Sequence, residues 1–186
     1  MILKSIPCLL ALICFSAYSG DTAISKATES TATGTTYAKT DFTTVKEGKF
    51  VFSYKIDGPD LVAEVSYPGA GWVAVGFNPT SMMKGANFII GALVDGKSVV
   101  SDEFGDTKYS HKPDTALGGK NSIIKSKCWV DKGVLTVSFT IPLNSGDDKD
   151  VVLEKGKKVK LIFAEGKKPD FRSIHSVIGK TTIMLE

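Results

Sequence analysis

Beyond residue 44 the apolar positions of this chain fall in short runs set between turn residues. The segments 50–56, 61–67, 72–77, 88–94, 98–100, 134–141 and 159–164 are rich in Val, Ile, Phe and Tyr, side chains that suit a pleated strand. Apolar and polar residues alternate plainly in Val134-Leu135-Thr136-Val137-Ser138-Phe139. The breaks Asp57-Gly58-Pro59, Tyr67-Pro68-Gly69, Asp95-Gly96 and Asp131-Lys132-Gly133 carry the residues that turns demand. An apolar period of 3.6 residues persists nowhere for the length of an ordinary helix. Many closely spaced short strands predict an all-β sandwich or barrel with room for a core and a ligand pocket.

The first 44 residues break this pattern. Lys4 precedes an almost wholly apolar run from Ile6 to Phe15, and Ala17-Tyr18-Ser19 supplies small residues where a signal peptidase reads. The run is too short to span a bilayer as a helix. The expected organisation is therefore an export signal over 1–19, cleaved after Ser19, and a periplasmic or secreted product. A Thr/Ser/Ala-rich linker follows over 20–44, where few large apolar residues offset the entropy of ordering. Residues 45–186 then form one domain. Cys14 offers a rival site for lipid attachment, but Leu12-Ile13 stand where small residues normally precede a lipidated cysteine.

Cysteine and charge narrow the chemistry. With Cys8 and Cys14 inside the expected signal, the mature chain keeps only Cys128. That excludes an internal disulfide, a thiolate zinc cluster and the C-x-x-C-H attachment of a covalent haem. Lys plus Arg total 23 against 20 acidic residues, and loss of Lys4 leaves 22 against 20. Arg172 is the sole arginine, whereas a nucleic-acid reader would use many for bidentate contacts.

Several motifs fail for want of a residue. Gly179-Lys180-Thr181 would close a phosphate-binding loop only if a glycine stood at position 174, which is Ile174. Neither a G-x-S-x-G elbow nor an H-E-x-x-H helix occurs. The carboxylate pairs Asp102-Glu103 and Asp147-Asp148 lie in turn-like sequence and read as solvated, with no spacing of a known calcium loop.

More unusual is the stretch from Gly71 to Phe88. A buried-looking strand there breaks at Asn78-Pro79 and delivers Met82 and Met83 into a loop. Adjacent thioethers can simply fill a core gap. The two histidines are His111, in a Tyr-Ser-His-Lys-Pro loop, and His175. If 171–177 is extended, alternation puts His175 on one face with Phe171, Ser173 and Val177, a plausible apolar setting that would keep its imidazole neutral.

Residues Gly71-Trp72-Val-Ala-Val-Gly76-Phe77, the break Asn78-Pro79-Thr80, Met83 followed by x-Gly85-Ala86, Gly118-Gly119, the late run 159–164 and a terminal histidine together resemble the DOMON domain family. The resemblance covers nearly everything after about Thr40 and implies an immunoglobulin-like β-sandwich of two antiparallel sheets. It is nearest to the haem-binding branch typified by the cytochrome domain of cellobiose dehydrogenase and plant auxin-induced ascorbate-reducible cytochromes. That branch implies non-covalent haem b, ligated by Met83 and His175 with Met82 as the fallback, and walled by Trp72, Phe77 and Phe88. His111 has no role in this pattern and is expected at the pocket rim or surface. The implied activity is electron transfer with a redox partner protein or small reductant, and no self-contained enzyme. Other family members lack these ligands, so two further readings stand beside it. One is a haem-free carbohydrate or small-ligand binding module that stacks its ligand on Trp72 and Tyr109. The other is a structural or adhesive domain on a Thr-rich stalk.

Overall fold

The computed structural model describes residues 41–186. The expected signal, Cys14 and positions 20–40 of the expected linker lie outside the described residues. Ordered strand begins at β1 (Thr43–Glu47), two residues inside the segment read as linker. There follow β2 (Phe50–Asp57), β3 (Asp60–Pro68), β4 (Trp72–Phe77), β5 (Asn87–Val94), β6 (Lys97–Phe104) and the short β7 (Lys112–Pro113). After a single 3₁₀ turn at Asp114–Leu117 come β8 (Lys125–Asp131), β9 (Val134–Pro142), β10 (Lys158–Gly166) and β11 (Val177–Met184).

The strands pair antiparallel throughout, in a five-stranded sheet ordered β1-β2-β3-β9-β8 and a six-stranded sheet ordered β11-β10-β4-β5-β6-β7. This is the expected two-sheet β-sandwich. Two-residue turns set the hairpins: Asp95 and Gly96 have φ of 50° and 75°, and Lys132 and Gly133 have 48° and 77°. Positive φ at both central positions matches the twist of flanking strands. Strands β1, β7, β8 and β11 were not visible in the sequence pattern. Polar residues interrupt both runs, Lys and Ser in β8 and Lys, Thr and Gly in β11, as edge strands do to discourage further pairing.

The main core lies between the sheets, where Phe50, Phe52, Phe77, Phe139 and Phe163 form one aromatic cluster. A second apolar cluster lies on the opposite, outer face of the six-stranded sheet. It comprises Trp72, Ala74, Ala86, Phe88, Ile90 and Ala92, with Met83, Ile162, Ala164 and Phe171 packed against it. Covering on both faces is why all six residues of β4 are buried and why its sequence is continuously apolar.

Candidate functional site

Side chains alternate across a strand. On β4, Val73, Val75 and Phe77 therefore enter the inter-sheet core while Trp72, Ala74 and Gly76 face outward. Phe77 does not join the outer face as expected. Its ring lies 6.2 Å from Phe52 and 6.3 Å from Phe139, centroid to centroid, in edge-on contacts within the core. The five-residue separation from Trp72 gives the two rings opposite parity. Trp72 and Phe88 do line the same outer cavity, of about 980 Å3. Gly76 is required beneath it, because an added Cβ would come within 2.5 Å of the Phe88 ring.

One wall of this cavity is the loop between β4 and β5. Asn78, at φ 49°, anchors its start by exchanging bonds with Lys160: its N–H donates to the Lys160 carbonyl at 2.8 Å, and its Oδ1 accepts the Lys160 N–H at 2.9 Å. The hydroxyl and the N–H of Thr80 both donate to the Lys84 carbonyl at 2.8 Å. Met82 stands at φ 52°, a left-handed turn that leaves its side chain 58% exposed while Met83 is half-buried against the outer cluster. The Met83 N–H reaches the Lys108 carbonyl at 3.3 Å, and its carbonyl accepts from Ala86 at 3.1 Å. Gly105 closes against it so tightly that a Cβ there would lie 1.7 Å from the Met83 carbonyl oxygen.

The facing wall comes from the segment between β10 and β11. Asp170 accepts from the Arg172 and Ser173 N–H groups at 3.0 and 2.8 Å, and Phe171 takes φ 54°. The segment is thus a turn, and His175 is exposed rather than buried on an extended apolar face. It nevertheless lines the cavity, as do Met82, Met83 and His111. His111 is half-buried, its ring 5.5 Å from Phe88 and its Nδ1 bonded to the Glu103 carboxylate. Glu103 also accepts the Ser101 hydroxyl at 2.9 Å. At the mouth stand Tyr109, 75% exposed, and the cations Lys108, Arg172 and Lys180, with Glu47 as a carboxylate among them.

Asp102 and Glu103 were expected in solvent, yet both are buried, because β6 carries them beneath the loops of 110–122 and 147–152. Asp147 receives N–H bonds from Lys149 and Lys120 at 2.9 and 2.5 Å, which hold its carboxyl below the usual range, while Asp148 stays exposed. Cys128 is buried in the main core, remote in character from any open site, and burial pushes its thiol up.

The chain is thus a two-sheet β-sandwich with an apolar cavity on one outer face, lined by methionine and histidine residues among others. The sequence profile of the DOMON domain matches residues 46–166, and the chain belongs to that family. No curated protein matches the sequence. Among solved structures, the cytochrome domain of Myriococcum thermophilum cellobiose dehydrogenase is similar at 10% identity and a TM-score of 0.52, over 78% of this chain and 82% of that one. The cytochrome b domain of pyranose dehydrogenase from Coprinopsis cinerea is similar at 10% identity and a TM-score of 0.54, over 72% and 75%. At such identity the likeness is one of fold.

Proposed function

We propose that the outer cavity holds a non-covalent b-type haem, with Met83 and His175 as axial ligands, and that the domain relays electrons. The observation that carries this reading is the meeting of Met83 and His175 on one cavity from loops about ninety residues apart. The cavity suits the group in three ways. Its volume of about 980 Å3 lies at the upper end of ordinary cofactor pockets. Its base is Trp72, Phe88 and Ile162, all apolar. Its donors are a soft sulfur and an imidazole, the pair used at electron-transfer haem. The two cytochrome domains that share the fold add support.

Each residue then has a task. The hydrogen bonds of its N–H and carbonyl fix the Met83 backbone in the cavity wall. His175, which makes no hydrogen bond to any described residue, keeps both ring nitrogens available. Trp72 and Phe88 exclude water from the base, and Lys108, Arg172 and Lys180 offset carboxylate charge at the mouth. Haem held by both residues would supply one-electron transfer, with no site left open for oxygen chemistry.

The test is an absorption spectrum of protein made with ample haem. A low-spin, six-coordinate reduced spectrum is expected. A colourless product that still takes up no haem after purification would overturn the assignment in favour of a haem-free ligand module. We also read residues 1–19 as an export signal. An exported product starting at Gly20 is expected from N-terminal sequencing, and no helix among the described residues is long and apolar enough to cross a membrane.

A further inference from the structure

On the inner side of the same sheet, away from the outer cavity, three carboxylates converge. One oxygen each of Asp102, Asp114 and Asp150 lies within 4.8 Å of the other two. Two oxygens on opposite sides of a calcium ion, each at about 2.4 Å, would be spaced by that same span. Asp102 comes from β6, Asp114 opens the 3₁₀ turn and Asp150 lies in the loop between β9 and β10. No Lys, Arg or His among the described residues forms a salt bridge with any of them. The nearby Lys149 is instead bonded to Asp148 at 2.7 Å.

The hydrogen bonds show which oxygens are committed. Asp102 Oδ2 accepts the Ser122 N–H at 2.7 Å, and Asp150 accepts the Asn87 amide at 2.5 Å and the Ser122 hydroxyl at 2.6 Å. Left without a hydrogen-bond partner among the described residues are Asp102 Oδ1 and both carboxylate oxygens of Asp114. Asp114 is 0% exposed, so neither oxygen reaches solvent. Independently of the acidic residues, Asn87, 3% exposed, also has an unpartnered Oδ1 while its amide nitrogen is tied to Asp150. Orphaned buried oxygens carry an uncompensated desolvation penalty, and a cation bound at this cluster, to which Asn87 is tied through Asp150, would relieve it.

We propose that Asp102, Asp114, Asp150 and the amide oxygen of Asn87 form a calcium-binding site that ties the starts of β5 and the 3₁₀ turn to β6 and the 147–150 loop. The donors are all oxygen and irregularly placed, and they include one neutral amide. A large hard cation with flexible coordination suits such a set better than magnesium, which demands a near-ideal octahedron. Burial, reinforced by mutual repulsion, raises Asp102 to about 7 and Asp114 to about 8, as expected of carboxyls that lack a counter-charge.

The experiment uses the full chain after treatment with a chelator. Calcium alone is titrated by calorimetry and thermal melting at pH 7.5, with magnesium as comparator. One calcium per chain is expected, with a dissociation constant of about 1 mM or tighter. The melting temperature should rise by about 5 °C or more at a hundredfold excess over that constant. Asp114→Asn, nearly the same shape, should weaken binding at least tenfold, and Asp148→Asn should leave it unchanged. Unaltered binding in Asp114→Asn, or magnesium binding as tightly as calcium, would overturn the assignment. So would a wild-type protein indifferent to about 10 mM calcium, with Asp114→Asn more stable than wild type at pH 8, which would mean that the carboxyls simply hold protons. If Asp114→Asn does not fold, the wild-type titration decides alone: saturable one-to-one binding supports the site and its absence removes it.

Discussion

Asp102 and Glu103 are consecutive on β6 and serve opposite faces of one sheet. Asp102, opposite Ile89, turns inward to the Ser122 N–H, whereas Glu103, opposite Phe88, turns outward and holds His111. Strand alternation divides Asn87 from Phe88 in the same way. Two adjacent strands therefore supply a polar cluster on one side and the base of the outer cavity on the other.

If Met83 and His175 are the ligands, their variants should differ in kind. His175→Ala is expected to weaken haem retention by more than ~100-fold, beyond the 10–100-fold that loss of a ligand's supporting partner costs. Met83→Ala should keep haem but open a coordination position, and Met83→His should lower the reduction potential, because sulfur favours ferrous iron. Met82→Ala and His111→Ala should leave the ligation spectrum intact. Optical and paramagnetic resonance spectra of the four alanine variants discriminate the sites, and loss of nitrogen ligation in His111→Ala alone would transfer that role to His111.

Gly105→Ala tests how firmly the methionine loop is held. A Cβ placed 1.7 Å from the Met83 carbonyl must push the loop off β6. Urea denaturation should register a loss of about 1–3 kcal/mol, together with weakened sulfur ligation. An unchanged spectrum in a destabilised protein would show that Met83 does not depend on this contact.

Phe77 and Phe88 should separate stability from cofactor binding. Phe77→Ala empties part of the inter-sheet core and is expected to cost about 3–5 kcal/mol, while Phe77→Leu should fold with an unaltered haem spectrum. Phe88→Leu, at the base of the cavity, should change haem affinity instead. Equilibrium unfolding and haem titration on the two leucine variants make the comparison.

Stability should fall with rising pH when calcium is withheld. Asp102 and Asp114 ionise near 7 and 8 in the folded chain against 3.8 as the ordinary value. The folded state therefore holds more protons than the unfolded state between about pH 4 and 8, and ∂ΔG/∂pH is negative across that window. The stabilising contribution is complete below pH 3.8 and is lost as pH climbs through 7 and 8. Asp150, Asp147 and Glu103 oppose ionisation of both groups, and Lys149 is the cation near Asp114. Urea midpoints from pH 5 to 8.5 should decline in chelator and flatten with calcium, because the cation binds the ionised form. The paired bases and acids on the outer face are common to both conditions and cancel in the difference.

Cys128 should be inert toward disulfide reagents in the native protein, since its thiol is buried beside Gly91 and raised by burial. Thiol titration should find it only after denaturation, and rapid native reactivity would contradict the packing of β8 on β5.

Local pattern determined an all-β sandwich or barrel, and the family resemblance narrowed it to a sandwich of two antiparallel sheets. Strand-length apolar runs broken by Asp-Gly and Lys-Gly turns leave little choice of element, and the apolar run 72–77 coincides with β4 because burial on both faces makes that strand apolar throughout. Parity, also a sequence property, already separates Phe77 from Trp72. The edge strands β8 and β11 escaped because their Lys, Ser and Thr answer to solvent, not to the core. Only the tertiary structure decided which distant loops share a cavity: that 79–86 faces 171–178, that His175 is exposed on a turn, and that His111 leans on Phe88 beside Glu103. It alone gathered Asn87, Asp102, Asp114 and Asp150, four residues with no common spacing. Such clusters depend on long-range strand order and loop docking, which neighbouring residues in the chain do not encode, because the contacts that fix them join segments dozens of residues apart.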